Sequence, residues 1–242
     1  MPARNQALTL EKTYYEIPKQ FRKNIILSDN ASRDETIKIA KLLGIEVIRN
    51  KVDKGYGGNM KSCYFHALKK GVNIIVVLHP DNQYDGSKIP ELIKPIIDDK
   101  ADFVSGSRKL GDNFNGMPFY KKIGNALLTW LENIILGLHM SELHSGMTAC
   151  SSKLLKTIPF MLNSDDFHFH SELIIQAKHF GFRFAEIGIP TRYFKEASST
   201  NFVKSTVYSL GTILVLGKYI LHNLSFVKFD QFKSKNQLMV GL

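Results

Sequence analysis

A chain of 242 residues, with 44% hydrophobic and 22% charged residues, is long enough to bury a sizeable core without disulfides or metals. Its two cysteines, Cys63 and Cys150, exclude a disulfide framework and a four-cysteine zinc site and fit a reducing compartment. The formal charge of +10 points to polyanionic company, whether nucleic acid, an anionic membrane face or phosphorylated small molecules; no apolar run approaches the ~18 residues of a membrane span, and the N-terminus lacks a signal-peptide core.

Short β-rich apolar runs alternate with helical patterns. Residues 24–27 (NIIL) predict a buried strand and residues 28–32 a polar turn. Ser32 and Glu35 have capping-box spacing and predict a helix closed by Gly44. A strand follows over 45–48, then a glycine-rich loop over 50–58 and a helix over 59–70 stopped by Gly71. Residues 73–78 (NIIVVL) are the strongest strand pattern. They run into the polar segment 79–85 (HPDNQYD) and a helix from about Ser87, with Pro90 tolerable in its first turn and Pro95 shortening it. A fourth strand is expected over 102–106. This order predicts a mostly parallel, helix-covered sheet with ligands beyond the carboxyl ends of its strands.

The second half predicts a long helix over 119–136 closed by Gly137, a strand over 147–150, a helix over 165–180 closed by Gly181 and a strand over 183–187. A polar loop (196–201) leads to an apolar helical pattern over 202–223, interrupted by Lys204 and Lys218. The chain therefore divides into one α/β domain (1–200), an amphipathic helical extension (201–226) facing a membrane or a partner, and a loose polar tail (227–242). The helical extension is able to lie in a lipid interface; it is equally able to cover the sheet or a second subunit, and a homo-oligomer is compatible with it.

Several polar clusters stand where such a sheet places a site. Asp29-Asn30-Ala31-Ser32 offers either a carboxylate for a nucleobase N–H or a turn with a helix cap. Lys54-Gly55-Tyr56-Gly57-Gly58-Asn59-Met60-Lys61 is either a phosphate-approaching loop or a surface loop; it has neither Walker nor dinucleotide-fingerprint spacing. Asp81 and Gln83 suit a hard divalent cation bridging to a diphosphate, with His79 a softer further ligand; the bland reading is a satisfied turn. Arg108, with Lys121 and Lys122, either holds a phosphate or belongs to a solvated basic face. Glu142 is a candidate general base or a loop-organising carboxylate. His168 and His170 lack metal-site spacing, and no nucleic-acid-binding motif accompanies the charge.

In chain order these segments resemble family 2 glycosyltransferases of the GT-A fold, in the bacterial, dolichyl-phosphate-mannose-synthase-like branch. The matching stretches are residues 1–6 (MPARNQ), 28–36 (SDNASRDET), 55–61, 79–85, 105–108 (SGSR), 142–149 and 186–193. Asn30 and Ala31 replace the usual second Asp and Gly, His79 replaces the first metal-motif Asp, and Thr148 replaces an Arg. The opening segment begins inside the first motif, so the first strand of the sheet is expected to be missing. The resemblance implies an inverting transferase, with a nucleotide-diphospho-sugar donor, Mg²⁺ or Mn²⁺, and a lipid-phosphate acceptor at the cytoplasmic membrane face. It places Pro2, Ala3, Asn5, Asp29, Asn30, Lys54, Gly55, Lys61 and Asp81 at the donor, and Asp81, Gln83 and His79 at the metal. Arg108, Lys121 and Asn125 fall at the acceptor phosphate, and Asp81, Arg108 and Glu142 are the candidates for catalysis. The alternative is a nucleotide-sugar-binding or partner subunit with impaired catalysis.

Overall fold

A computed structural model describes residues 1–111, 118–193 and 202–233, with side chains from Ser205 onward in the last segment. The loop expected over 196–201, the side chain of Lys204 and residues 234–242 of the tail lie outside the described residues.

The first half alternates as expected: β1 (Pro2–Ala3), α1 (Leu10–Glu16), α2 (Lys19–Arg22), β2 (Ile26–Asn30), α3 (Thr36–Leu42), β3 (Glu46–Asn50), α4 (Gly55–Lys69), β4 (Ile74–Val77), α5 (Ile89–Ile97) and β5 (Phe103–Ser107). A single 3₁₀ turn, Gly86–Lys88, precedes α5. The second half adds α6 (Phe119–Leu136), β6 (Thr148–Ser151), α7 (Ser152–Thr157), α8 (Phe169–His179), β7 (Phe184–Gly188) and α9 (Phe202–Asn223). Gly44, Gly71, Gly137 and Gly181 all take positive φ just past helix ends, as left-handed helix stops require.

Three local expectations are corrected. Strand β2 does not end at Leu27; Ser28, Asp29 and Asn30 continue it and are buried. Their polarity is met from within the fold: the Ser28 hydroxyl donates to Asn59 Oδ1 at 2.7 Å, and Asn59 Nδ2 donates to the Ser28 carbonyl at 3.1 Å. The Ser32–Glu35 capping box does not form, because Ser32 Oγ accepts from the Asn5 N–H and Asp34 takes the Thr36 N–H at 3.1 Å, so α3 starts at Thr36. The glycine-rich stretch is the first turn of α4, not a loop. A Cβ on Gly57 would stand 2.8 Å from Phe169 Cβ and 2.9 Å from the Asp165 carbonyl carbon. These glycines let the segment ahead of α8 lie directly on α4.

The strands form two sheets. One is parallel, in order β1-β2-β3; the other runs β4-β6-β5-β7, with β6 antiparallel to both neighbours and β5 parallel to β7. The sequence order suggests one mostly parallel sheet, but β6 enters antiparallel between β4 and β5. Pro2 and Ala3 pair with Ser28 and Asp29, so only a two-residue strand stands beside β2 where the first strand of the sheet is expected. Between the sheets lies an apolar cleft of about 410 Å³, lined by Ile26, Cys63 and the whole of β4.

The largest buried cluster joins Tyr64 of α4, Phe103 of β5 and Leu173 of α8 with Val215 and Leu216 of α9 and Phe232. Phe232 sits in a 3₁₀ turn, Asp230–Phe232, against His179 and His222. The start of the expected loose tail is therefore docked into the core, because an aromatic side chain buried there outweighs the polarity around it. Among the described residues no helix is long and apolar enough to cross a membrane.

Candidate active site

Beyond β2 and β4 opens a cavity of about 690 Å³ lined by residues of the first sheet and of the segment that follows β4, among them Pro2, Ala3, Asn30, Asp53, Gly55, His79, Asp81 and Gln83. Asn30 closes one side: its Nδ2 donates to Asp53 Oδ1 at 2.7 Å and to the Gly55 carbonyl at 3.2 Å, while its Oδ1 accepts from the Lys54 N–H. Asp53 also binds Arg4 and accepts the Gly55 N–H at 3.0 Å. Asp29 lies at the end of β2, wholly buried. One of its oxygens accepts the Ser32 N–H at 3.1 Å and the other has no protein partner. A buried acceptor left open is costly unless a ligand N–H meets it. Asn5, at φ 52°, accepts the Arg33 N–H at 2.8 Å.

The two lysines of the glycine-rich stretch do not join this cavity. Lys54 is exposed. Lys61 Nζ binds Asp165 at 2.8 Å and the Asn163 carbonyl, so it clamps the segment before α8 instead of presenting its charge to a diphosphate.

Asp81 is 4% exposed, and its Oδ1 accepts the Gln83 N–H at 3.1 Å across a turn whose apex, Asn82, has φ 57°. Burial pushes the Asp81 carboxyl up to about 6. His79 is stacked on Tyr56, with ring centroids 5.7 Å apart, and Tyr56 also stacks with Phe167 at 5.3 Å. Burial lowers the His79 pKa to about 4, keeping it a neutral imidazole.

A second cavity, of about 420 Å³, adjoins the first and shares Tyr56, Gln83, Tyr84, Gly146 and Phe167 with it. It holds Arg108, Lys121 and Asn125 together, as the sequence suggests. The Lys121 ammonium is lowered by burial and by the Arg108 guanidinium, so two cations face one space. Arg108 is fixed at the end of β5 by Glu142, which accepts from Nε at 2.8 Å and from the backbone N–H at 2.7 Å, and by the His144 carbonyl at 3.1 Å. Both Glu142 oxygens are thus committed to Arg108. Next to it, wholly buried Glu132 of α6 approaches His144 Nε2 at 3.1 Å, and His144 Nδ1 meets the Tyr208 hydroxyl of α9 at 2.6 Å. Ser171 of α8 and Thr212 extend the chain.

The family model for Glycosyl transferase family 2 matches residues 1–159. The chain belongs to glycosyl transferase family 2. An uncharacterised protein of Methanocaldococcus jannaschii is 31% identical, over 94% of this chain and 90% of its own length. A Methanococcus voltae protein named UDP-N-acetylglucosamine--dolichyl-phosphate N-acetylglucosaminyltransferase is 29% identical over 96% of this chain and 95% of its own. A dolichyl-phosphate hexose transferase of Haloferax volcanii is 28% identical over 67% of this chain and 68% of its own. Glucosyl-3-phosphoglycerate synthase of Mycobacterium tuberculosis, solved with UDP, superposes with a TM-score of 0.69 at 18% identity, over 90% of this chain and 77% of that one. That likeness establishes the GT-A fold. The same enzyme has been solved with Mn²⁺, UDP and phosphoglyceric acid.

For a family 2 glycosyltransferase, the donor set around Asp81 fits a divalent cation. Among the described residues no three His, Cys, Asp or Glu side chains converge on a metal. One buried carboxylate whose charged form is penalised by burial suits a hard cation that arrives with diphosphate and water oxygens. Sequence reasoning missed Asp53, the Tyr56–Phe167 stack and the Glu132–His144–Tyr208 chain. A lone acid in the apolar run NALLTWLENIIL was the signal for Glu132; Asp53 and Phe167 gave none.

Proposed function

We propose that this glycosyltransferase moves a sugar, with inversion and with the aid of Mg²⁺ or Mn²⁺, from a nucleotide-diphospho-sugar in the larger cavity to a polyprenyl phosphate in the smaller one. The single observation that carries the reading is the shared wall. A cavity lined by Asn30, Asp53 and Asp81 shares Gln83, Tyr84 and Gly146 with one lined by Arg108 and Lys121. The names of the Methanococcus and Haloferax relatives support the acceptor class, and the +10 charge suits peripheral residence on an anionic membrane face.

In this reading Asp29 takes a nucleobase N–H on its open oxygen, with Pro2, Ala3, Asn5, Asn30 and Gly55 shaping the nucleoside end. Asp81, supported by Gln83, holds the ion, which stabilises charge on the departing diphosphate. The His79 ring, held against Tyr56, shapes the floor between the cavities. Arg108, Lys121 and Asn125 hold the acceptor phosphate in line with the anomeric carbon. An acceptor phosphate oxygen forms the new C–O bond as the bond to the diphosphate breaks with its electron pair. The nucleophile is already an anion, so no proton must be removed. Glu142 therefore serves by aiming Arg108, not as a base.

The test is transfer of labelled sugar from a panel of UDP- and GDP-sugars to a polyprenyl phosphate in the presence of Mn²⁺. The expected product is a lipid-extractable sugar phosphate. Asp81→Asn should weaken metal-dependent nucleotide binding by roughly 1–3 kcal/mol in calorimetry and stop turnover. Nucleotide binding without transfer from any donor would instead leave a binding subunit, and unchanged affinity in the variant would remove Asp81 from the site.

A further inference from the structure

Helices α6 and α9 are built inside out. On α6 the solvent-facing stripe is apolar: Phe119, Ile123, Leu127, Trp130 and Ile134 are each at least half exposed, with Leu127 at 61% and Trp130 at 59%. The polar groups point inward: Glu132 and Thr129 are buried, and Asn133 is spent on the Met140 backbone. Helix α9 repeats the inversion. Val207, Leu210 and Leu214 are exposed while Thr212 and His222 are buried. Among the described residues, more than half of the large exposed hydrophobics lie on α6 and on α9 with the turn that follows it. A helix against water shows the opposite pattern, and a continuous exposed apolar face marks an interaction surface.

The two helices pack on each other, and their N-terminal halves supply Tyr120, Lys121 and Asn125 on one side and Ser205, Thr206 and Tyr208 on the other to the acceptor cavity. The apolar face therefore borders the mouth through which an acceptor enters. Its charge is one-signed. The only acid on either helix is Glu132, and it is buried, whereas Lys121, Lys122 and Lys218 are basic. A second copy seated there would bring the same lysines and its own +10 against this one, and would cover the cavity mouth.

We infer that the α6–α9 face is a docking surface for an anionic lipid monolayer, with Trp130 and its apolar neighbours entering the headgroup boundary and Lys122 and Lys218 meeting lipid phosphates. The inference rests on the lipid-phosphate reading of the acceptor and adds a second helix, α6, to the expected membrane contact. In this arrangement the lipid chain of the acceptor stays in the membrane and only its phosphate rises between the helices.

Trp130 is the single tryptophan, so its emission reports its surroundings. The probes are vesicles without any polyprenyl phosphate, made either of phosphatidylcholine or of a phosphatidylcholine–phosphatidylglycerol mixture. Trp130 emission should shift to shorter wavelength with the mixed vesicles, and the protein should sediment with them and not with the neutral ones. The paired variants Leu127→Gln with Trp130→Gln, and Leu210→Gln with Leu214→Gln, alter only exposed positions. Each should weaken vesicle binding by roughly tenfold with an unchanged circular dichroism spectrum. Absence of vesicle binding, or equal binding by both variants, overturns the inference. So does a vesicle-independent dimer that buries Trp130, which would assign the face to a second copy. Transfer to a short water-soluble prenyl phosphate separates the two readings. Transfer without vesicle binding defeats the docking surface alone, and vesicle binding without transfer to any lipid phosphate defeats the acceptor assignment alone.

Discussion

Asp81 shows how a site residue is set against stability. Its carboxyl, held near 6 by burial, lies above the ordinary carboxylate value near 3.9. A carboxyl raised in the folded state adds stability that is fully present below about pH 4 and is lost as the pH climbs through about 6. At pH 8 the ligand-free protein therefore carries a buried charge, and Asp81→Asn should make it more stable by roughly 1–3 kcal/mol. Melting curves of the two proteins without nucleotide or metal check this, and the gap should close near pH 4. Binding of the ion should weaken with falling pH below about 6, because a proton competes for the same oxygen. Asp81 was legible because it ends the strongest apolar run. Asp53 was not: its partners Asn30 and Arg4 come from other parts of the chain, and a carboxylate beside a lysine looks like any loop. Glu142 was singled out, but its contact with Arg108, on which the proposed aiming role rests, needed the fold.

Among the elements, helix ends were read well and helix beginnings less so. Glycines past the last turn act locally, through their own backbone, and all four expected stops lie where the sequence put them. The start of α4 depends on what packs upon it: Gly57 and Gly58 receive the backbone around Asp165, a contact without sequence-local trace. Helix α9 was found in position and length, yet its inward polar side is readable only against Ser171, His144 and Glu132. The Tyr208 hydroxyl is the link between α9 and the loop that holds Arg108, since the same His144 offers its ring to Tyr208 and its carbonyl to Arg108. Tyr208→Phe should cost about 1 kcal/mol of stability and raise the acceptor KM several-fold while leaving nucleotide affinity unchanged in calorimetry. A change in nucleotide affinity instead would show that α9 acts on the donor cavity.

For the whole molecule, the alternation of strands and helices was enough to read the layered α/β architecture, and the family motifs pointed to the strand ends for the proposed site. The antiparallel entry of β6 left no mark, because its direction is set by the end of the sheet from which the chain re-enters between β4 and β5, which no local residue pattern records. Nor was the division into two sheets legible. That division has a kinetic consequence. The cavity proposed for the donor draws Pro2, Ala3 and Asn30 from one sheet and His79 and Asp81 from beyond a strand of the other, so a donor bound there would act as a staple across the gap. Cys63 lines the cleft between the sheets, whereas Cys150 is sealed within β6, and burial raises both thiols, Cys150 to about 12. Separation of the sheets would thus uncover one thiol and not the other. Alkylation of Cys63 should outrun that of Cys150 in the free protein and slow markedly once nucleotide and Mn²⁺ are bound, which mass spectrometry of the labelled peptides reads directly; equal rates with and without ligand would show that the two sheets move as one. Cys63 labelling would thus read whether the two sheets separate at all.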